Sequence, residues 1–459
     1  MIPLSIFNNV LGPVMRGPSS SHTAAAVRIA LLGRKLLEEE PQYARFTFDP
    51  GGSLATIYRE QGSAMGLAAG LLGMEITDKD IVKSEEICRE RNLEIEYRIE
   101  KFSTEHPNIY KTYIRGISGK EIRYNAISTG GGTVKLTELN GDKVEDDFDY
   151  INMLMPVKLK REPVMPFMDL NDLVIKLKNN GGLLSDYAID YETGVGELSS
   201  EDVLVLACSH IYIMKESIQD GLKGTDCDDR ILHRQSHLFS KLPEKGQFLP
   251  SDLTNKIIQA VTAVMEVKSS MGLIVAAPTA GSCGTLPGAL ITAAEAGFKT
   301  EHQMMRAMLA AGMLGIFIAE ESGFAAEEGG CQNECGSASG MTAAALVELM
   351  GGDGLMSLNA ASLALQNTLG MICDPVAGRV EVPCLGKNVM AALNALAAAS
   401  MIIAGYQHVI PLDEVLKAMK EVGMAMDHKY RCTCKGGLST TPTSRRIMDE
   451  LSSRQSGKI

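Results

Sequence analysis

The spacing of apolar residues changes along this chain, and that change restricts the folds open to it. Short runs rich in β-branched and aromatic residues occur at 44–49, 93–100 and 121–129, beside a helical pattern at 24–37. Beyond residue 170 the apolar residues follow helical spacing, interrupted by glycine and proline. We therefore predict an α+β protein, with a small N-terminal α/β sandwich domain followed by a larger all-α domain.

The length of the chain favours the same division. A single hydrophobic core rarely serves 459 residues, so two domains of unequal size are expected. Three prolines at 151–170 indicate a connector between them. The predicted organisation is a first domain over residues 1–150, a linker over 151–170 and a helical domain over 171–459.

Charge and composition argue against several functional classes. The formal net charge is −12, which disfavours nucleic acid or an anionic membrane as a partner. The N-terminus MIPLSIFNNV has no basic region, so we expect no secretory signal and a cytoplasmic location. The apolar stretch at 389–406 is rich in alanine and contains Asn394, and we interpret it as a buried core helix rather than a membrane span.

Seven of the ten cysteines lie between positions 283 and 434. A disulfide framework is not expected in a reducing compartment, so this concentration suggests metal binding or catalysis. Cys331, Cys373 and Cys384 occur in the segments EEGGC, CDPVAG and VPC, beside glycine and proline. Thiolates are the ligands of iron-sulfur clusters, although buried unreactive cysteines are also common.

The number of thiol ligands matters for the chemistry. Three thiolates on a [4Fe-4S] cluster leave one iron exchangeable, and that iron can act as a Lewis acid. Four protein ligands are typical of electron transfer. Cys335 could be a fourth ligand, but its position one helical turn after Cys331 favours a structural thiol. Cys432 and Cys434 could serve as zinc or redox ligands.

Three further segments combine small residues with hydrogen-bonding groups. GPSSSHT (17–23) places hydroxyls and an imidazole at a predicted helix start, where an anion such as a carboxylate is favoured; an ordinary helix cap would need only one serine. PTAGSCG (278–284) offers hydroxyls and bare amides, and STGGGT (128–133) is either a ligand loop or a tight strand turn.

In combination, these ordered motifs resemble the iron-sulfur-dependent bacterial L-serine dehydratases, in a single-chain form. The resemblance covers nearly the whole chain. It rests on GPSSSHTAAAVRIA (17–30), GSLATIYREQGSAMG (52–66), HPN (106–108), STGGG (128–132), AAPTAGSCGTLPG (276–288), EEGGCQNE (327–334) and CDPVAGRVEVPC (373–384). It implies a [4Fe-4S] cluster on Cys331, Cys373 and Cys384, and conversion of L-serine to pyruvate and ammonia without pyridoxal phosphate.

The resemblance and the residue types together define the expected site. As catalytic residues we predict Ser20, Ser21 and His22, from which a base takes the α-proton of the substrate. The residues expected to bind the substrate are Ser19, Thr23, Ser53, His106, Asn108, Gly131, Thr279 and Ser282. The expected partners are a small amino-acid substrate and a second copy in a homodimer, with neither nucleic acid nor a membrane.

The chain departs from that family in one segment. Where relatives usually carry K-x-H-G-T-D, this chain has Gln61 and Ala64 in place of the histidine and the aspartate. Glutamine forms hydrogen bonds but does not titrate near neutral pH. Ala326 also replaces a usual glycine.

Three further hypotheses stay open: a lyase of the same mechanism acting on threonine, cysteine or a related acid, a pyridoxal-phosphate enzyme using Lys135, and a non-catalytic iron-sulfur sensor.

Overall fold

The computed structural model describes residues 2–102, 106, 108–226, 230–241 and 251–456. It confirms the predicted α+β class, because a six-stranded sheet lies before residue 150 and helices dominate after residue 170. The only described strand in the second half is the two-residue Ile274–Val275, which pairs with Val14–Met15.

The sheet forms one layer of a two-layer sandwich. The strands Pro41–Phe48 and Glu94–Ile99 pair in parallel, and all the other pairs of neighbouring strands in this sheet are antiparallel. Alternate residues of the longest strand, including Tyr124 and Ala126, are buried against helices, as expected for a sheet with one solvated face. In spatial order the strands are Glu94–Ile99, Pro41–Phe48, Ile109–Gly116, Glu121–Gly130, Thr133–Leu139 and Asp142–Lys143.

Small residues let the covering helices approach this sheet. Gly33 lies over the sheet, and a Cβ there would overlap Ile114 and Tyr124. The backbone of the helix at Gly33 therefore packs directly on side chains of the strands. The helices of this first part are Ala25–Leu37, Leu54–Ile57, Ser63–Leu71, Ser84–Glu90 and Phe148–Asn152, with a 3₁₀ turn at Lys79–Lys83.

The second part is built around the helix Ser337–Leu349, all of whose residues are buried. A helix that is buried on every side belongs inside a core, and other helices surround this one. The α-helices of this part are Leu170–Asn180, Leu184–Val195, Ser200–Lys223, Asp252–Ser269, Thr285–Ala296, Glu301–Glu321, Ala326–Gly329, Ser337–Leu349, Gly354–Gln366, Glu381–Ile403, Leu412–Ala425 and Pro442–Ser456. The 3₁₀ turns are Ser236–Lys241, Ala280–Ser282, His428–Tyr430 and Gly437–Thr440.

The apolar stretch at 389–406 lies mainly in the helix Glu381–Ile403. This helix and Glu301–Glu321 are the two described helices long and apolar enough to cross a membrane, with 39% and 72% of their apolar windows buried inside the molecule. Both pack against Ser337–Leu349. Their buried faces therefore contribute to the helical core.

The start of the chain packs in the helical part rather than on the sheet. A π-helical turn, Ile6–Val10, lies against the helix Glu301–Glu321, where a Cβ on Gly315 would overlap Val10. Ile6 and Val10 belong to the same apolar cluster as the central helices. The first fifteen residues thus tie the two parts together and bring the GPSSSHT segment beside the PTAGSCG segment, while the predicted domain limits at 150 and 170 stay a proposal.

Candidate functional site

Three thiols converge although they are far apart in the chain. Cys331 directly precedes the π-helical turn Gln332–Gly336, Cys373 lies in an extended segment, and Cys384 occupies the first turn of Glu381–Ile403. All three side chains are buried. Cys373 and Cys384 both act on the Cys331 thiol and lower its pKa, so the three side chains lie close together. The structure therefore brings together the three cysteines that were predicted as ligands.

The charge on these sulfurs is concentrated on Cys331. The neighbouring thiols of Cys373 and Cys384, together with the Lys387 ammonium, hold the pKa of Cys331 well below its ordinary value. The adjacent Cys331 thiolate, together with burial, raises the pKa of Cys373 and of Cys384. Negative charge is therefore favoured on Cys331 and disfavoured on Cys373 and Cys384, and a bound cation would remove that restriction.

Lys387 is anchored next to the thiols. Its Nζ lies 3.6 Å from Cys331 Sγ and donates to Asp374 Oδ1 and to the carbonyl of Ile372, both at 2.8 Å. Asp374 in turn accepts from the amide of Leu438 at 3.0 Å. A cation held in this way stabilises thiolate at Cys331. Lys387 was not identified from the sequence, because a lysine within a helix is usually solvated.

Glu334 is a second residue that sequence reasoning missed. Its carboxylate oxygen and the sulfurs of Cys331 and Cys373 all lie within 4.8 Å of one another, so these three residues could hold a metal ion. Burial, the Cys331 thiolate and Glu327 raise the pKa of Glu334 to about 8, and Thr279 Oγ1 donates to it at 2.9 Å. The sequence signal that could have identified Glu334 is its spacing of three residues from Cys331, which places both side chains on one face of a helical turn.

A fourth thiol lies at the edge of this group. The thiols of Cys432 and Cys373 are neighbours, and the backbone amide of Cys432 donates to the backbone carbonyl of Cys373 at 3.1 Å. Cys432 and Cys434 both adopt positive φ values, near 60°, which is unusual outside glycine. Gln61 Nε2 lies 3.7 Å from Cys432 Sγ. The residue that replaces the expected histidine therefore faces the thiols with an amide.

His22 lies in a buried turn, Ser20–Ala24, that leads into the first long helix. Its Nδ1 is 3.2 Å from Ser19 Oγ, 3.1 Å from Ser21 Oγ and 3.6 Å from Glu327 Oε1. Its Nε2 is 3.5 Å from Ser53 Oγ. Burial lowers the pKa of His22 more than Glu327 raises it, so the imidazole is neutral at neutral pH. Ser19, Ser21 and His22 thus form one cluster.

Ser53 links His22 to the predicted HPN segment. Its hydroxyl donates to Asn108 Oδ1, while Asn108 Nδ2 is buried and has no partner among the described residues. His106 Nδ1 accepts from the backbone amide of Asn108 at 3.1 Å, and its Nε2 is 3.3 Å from Glu328. Pro107 lies outside the described residues. The side-chain Nδ2 of Asn108 is therefore a buried donor available to a ligand.

Other predicted residues hold the surrounding loops. Ser20 Oγ accepts from the Ala280 amide at 3.2 Å, which joins the GPSSSHT and PTAGSCG segments. Ser282 Oγ caps its own loop, 3.2 Å from Thr279 Oγ1. In this structure Ser20 and Ser282 are engaged in holding loops, and Thr279 is the loop hydroxyl directed at Glu334.

Thr23 and Gly131 lie on either side of this junction. Thr23 Oγ1 donates to the Gln61 carbonyl at 2.9 Å. Gly131 forms the tight turn between two strands with a φ of 59°, and its Cβ position lies 3.5 Å from the Pro278 carbonyl. Thr23 therefore joins two segments of the small part, and Gly131 lies where the small part meets the helical part.

The fold and the site define an α+β protein whose buried, thiol-rich centre could bind a metal beside a neutral histidine. The chain belongs to the family described as serine dehydratase alpha chain, which matches residues 108–439. It is 38% identical over 285 residues to the probable L-serine dehydratase, alpha chain, of Bacillus subtilis, covering 62% of this chain and 95% of that protein. It is 29% identical over 458 residues to the L-serine dehydratase of Streptomyces coelicolor, covering 92% of this chain and 96% of that protein. The L-serine dehydratase 2 of Escherichia coli is 28% identical over 457 residues, with the same coverage.

Proposed function

We propose that this chain is an L-serine dehydratase that converts L-serine to pyruvate and ammonia, and that Cys331, Cys373 and Cys384 hold a [4Fe-4S] cluster. The convergence of these three thiols carries the proposal. The names of relatives that span 92% of the chain support the reaction. When bound, such a cluster supplies a Lewis-acidic iron that makes the substrate hydroxyl a better leaving group.

The donor set fits this cofactor. All three sulfurs are buried, which suits a cluster that water and oxygen would damage. Lys387 supplies a positive charge next to Cys331, and thiolates must be deprotonated to bind iron. Glu334 adds an oxygen donor on the side of Thr279. No disulfide joins any of the described cysteines, so these thiols are free to bind.

His22 is the base in this proposal. It is neutral at neutral pH. Among the described residues, the Ser53 hydroxyl at 3.5 Å is the one hydrogen-bonding contact of its Nε2, so His22 can take the α-proton of the substrate. Glu327, beside Nδ1, stabilises the imidazolium that results. Ser19 and Ser21 hold the ring in place.

The buried Asn108 amide orients the substrate. Its Nδ2 has no partner among the described residues, whereas its Oδ1 is fixed by Ser53. A carboxylate or hydroxyl oxygen of the substrate would satisfy it. Thr279, from the helical part, faces the site from the other side.

One observation favours a second candidate, a lyase of the same mechanism acting on threonine, cysteine or a related acid. Gln61 presents an amide at Cys432, where the resemblance would place a titrating histidine. A pyridoxal-phosphate enzyme gains no similar support, because Lys135 is exposed on the strand Thr133–Leu139, whereas an aldimine lysine needs enclosure. A non-catalytic sensor gains none either, since it would not require the His22–Glu327 pair.

Anaerobic purification followed by iron and sulfide analysis and a serine-to-pyruvate assay tests the proposal. Cys331→Ser, Cys373→Ser and Cys384→Ser should each abolish the cluster absorbance and turnover. Cys208→Ser, a half-buried thiol on Ser200–Lys223, is the matched control and should keep both. Full activity without iron, or in any of the three variants, would refute it. Assaying L-threonine and L-cysteine alongside L-serine separates the second candidate.

A further inference from the structure

Lys268 has an environment that the proposed reaction does not yet explain. It lies near the end of the helix Asp252–Ser269, and its side chain is completely buried. Its ammonium group has no hydrogen-bond partner, and no ion pair, among the described residues. Burying an unpaired ammonium is strongly unfavourable, so such a group usually compensates a charge that binds next to it.

The packing of this helix places Lys268 beneath the PTAGSCG loop. Val261 and Met265 face Gly284, the last residue of the loop, and Gly288 in the helix after it. Cβ atoms on these glycines would press against Val261 and Met265. The Met265 sulfur is 4.0 Å from Cys283 Sγ. Lys268 follows Met265 by three residues and so shares this face of the helix.

The opposite side of the loop faces the thiol site. Thr279 Oγ1 donates to Glu334, and a Cβ on Gly281 would be 2.9 Å from both carboxylate oxygens of Glu334. The loop is therefore enclosed between a cation and the thiol site.

The chemistry of this loop suits a carboxylate. The helix Thr285–Ala296 begins directly after it, so the positive end of a helix dipole lies at the loop. Since the proposed substrate is an amino acid, its carboxylate is the anion that reaches this site.

We propose that Lys268 supplies the positive charge that holds the substrate carboxylate at the Thr279–Ser282 loop. This inference rests on the proposed function and names the residue that recognises the acid group. Lys268 acts in binding, and the proton transfer remains with His22. Neutral groups alone would discriminate poorly between L-serine and its alcohol analogue serinol, whereas a buried cation favours the acid.

Ligand binding tests the inference without turnover. Thermal unfolding of the anaerobically purified protein is followed with L-serine, with propionate and with serinol at matched ionic strength. L-serine and propionate should raise the unfolding temperature of the unsubstituted protein, and serinol should not. Lys268→Met and Lys268→Gln should lose the carboxylate effect, and Lys268→Arg should keep most of it. Lys256→Met, on the exposed side of the same helix, should behave as the parent does.

Kinetics separate this role from a structural one. Lys268→Met should lower kcat/KM for L-serine by about 10- to 100-fold, mainly through KM, as expected for loss of a charge-assisted contact. Iron content and the cluster absorbance should not change. Lys268→Arg is the control for a folding defect. It keeps the positive charge, so its KM for L-serine should return towards that of the unsubstituted protein.

The outcomes distinguish the two proposals. Unchanged carboxylate binding in Lys268→Met would overturn this inference, as would loss of iron in that variant, which would make Lys268 a counter-charge of the cluster. Failure of L-serine to bind the parent protein would overturn it as well. Carboxylate binding that depends on Lys268 but yields no pyruvate would uphold the inference and refute the serine dehydratase activity.

Discussion

At the scale of single residues, the site depends on a few side chains whose ionisation is set by burial. His22 is neutral because desolvation outweighs Glu327, and Cys331 is a thiolate because of the donors beside it. Gln61 does not titrate, so the proton transfer must be supplied elsewhere. These facts make His22 the residue on which the proposed proton abstraction depends.

Replacing His22 by asparagine should lower kcat by about 10²- to 10⁴-fold, the range for loss of a general base. Because the pKa of His22 lies below its ordinary value of 6.5, the acid limb of the parent's kcat/KM profile should fall below that pH and vanish in the variant. Iron analysis provides the check on integrity, since His22 is not a ligand. A variant with parental kcat would exclude His22 as the base.

A further substitution at this scale tests the number of ligands. Cys432→Ser should retain the cluster absorbance and its iron, because Cys432 contacts Cys373 and Gln61 from the edge of the group rather than bridging the three sulfurs. Cys373→Ser, measured in parallel, should lose both. Loss of iron in Cys432→Ser would mean that four thiols bind and that the exchangeable iron position is filled.

At the scale of elements, the N-terminal segment is fixed by a buried carboxylate and by close helix contact. Glu192 accepts from the Ser5 hydroxyl and from the Ile6 amide at 2.8 Å. Burial raises the pKa of Glu192 to about 7 despite these donors. The turn Ile6–Val10 then lies on glycines of the helix Glu301–Glu321, which leaves no space for a larger residue.

The raised pKa of Glu192 gives the stability a defined pH dependence. Between about pH 4.5 and pH 7 the folded carboxyl keeps a proton that the unfolded one releases, so this group makes the protein less stable as pH rises through that window. Glu192→Gln should remove a slope worth on the order of 3 kcal/mol between pH 5 and pH 8. Urea unfolding at both pH values measures it, with the exposed Glu197→Gln as control. Identical slopes in parent and Glu192→Gln would contradict this account.

Gly315→Ala should destabilise the protein by about 1–3 kcal/mol, because the added methyl overlaps Val10. The matched control is Gly386→Ala, in the exposed face of the helix Glu381–Ile403, where a Cβ meets no atom within 4 Å. That control should be stabilised by about 0.5–1 kcal/mol through helix propensity. Urea denaturation compares the two, and equal effects would remove the packing argument.

At the scale of the whole molecule, the site exists only where the two parts meet. His22, Ser53 and Asn108 come from the sheet-bearing part, and the cysteines come from the helical part. The fold class and the strands at 44–49, 93–100 and 121–129 were predictable, because their apolar spacing is local. The cysteines were identified by residue type and the segments around them.

The remaining site residues could not be predicted in the same way. Glu327, Glu334, Lys268 and Lys387 lie in helices or helical turns, and charged residues in helices are usually on the solvated face. Only tertiary packing buries them, and burial is what shifts the pKa of Glu334. Likewise, no local pattern predicts that the first fifteen residues leave the sheet and join the helical core.

The pairing of Val14–Met15 with Ile274–Val275 has a consequence for synthesis. These strands are about 260 positions apart, so the beginning of the chain must wait on the ribosome, for tens of seconds at ordinary elongation rates, before its partner emerges. During that interval Ile6 and Val10 are exposed apolar residues without their helix. A nascent-chain chaperone would therefore be most useful at the very first residues, and a bulky N-terminal fusion would hinder closure of the helical half rather than assembly of the sheet.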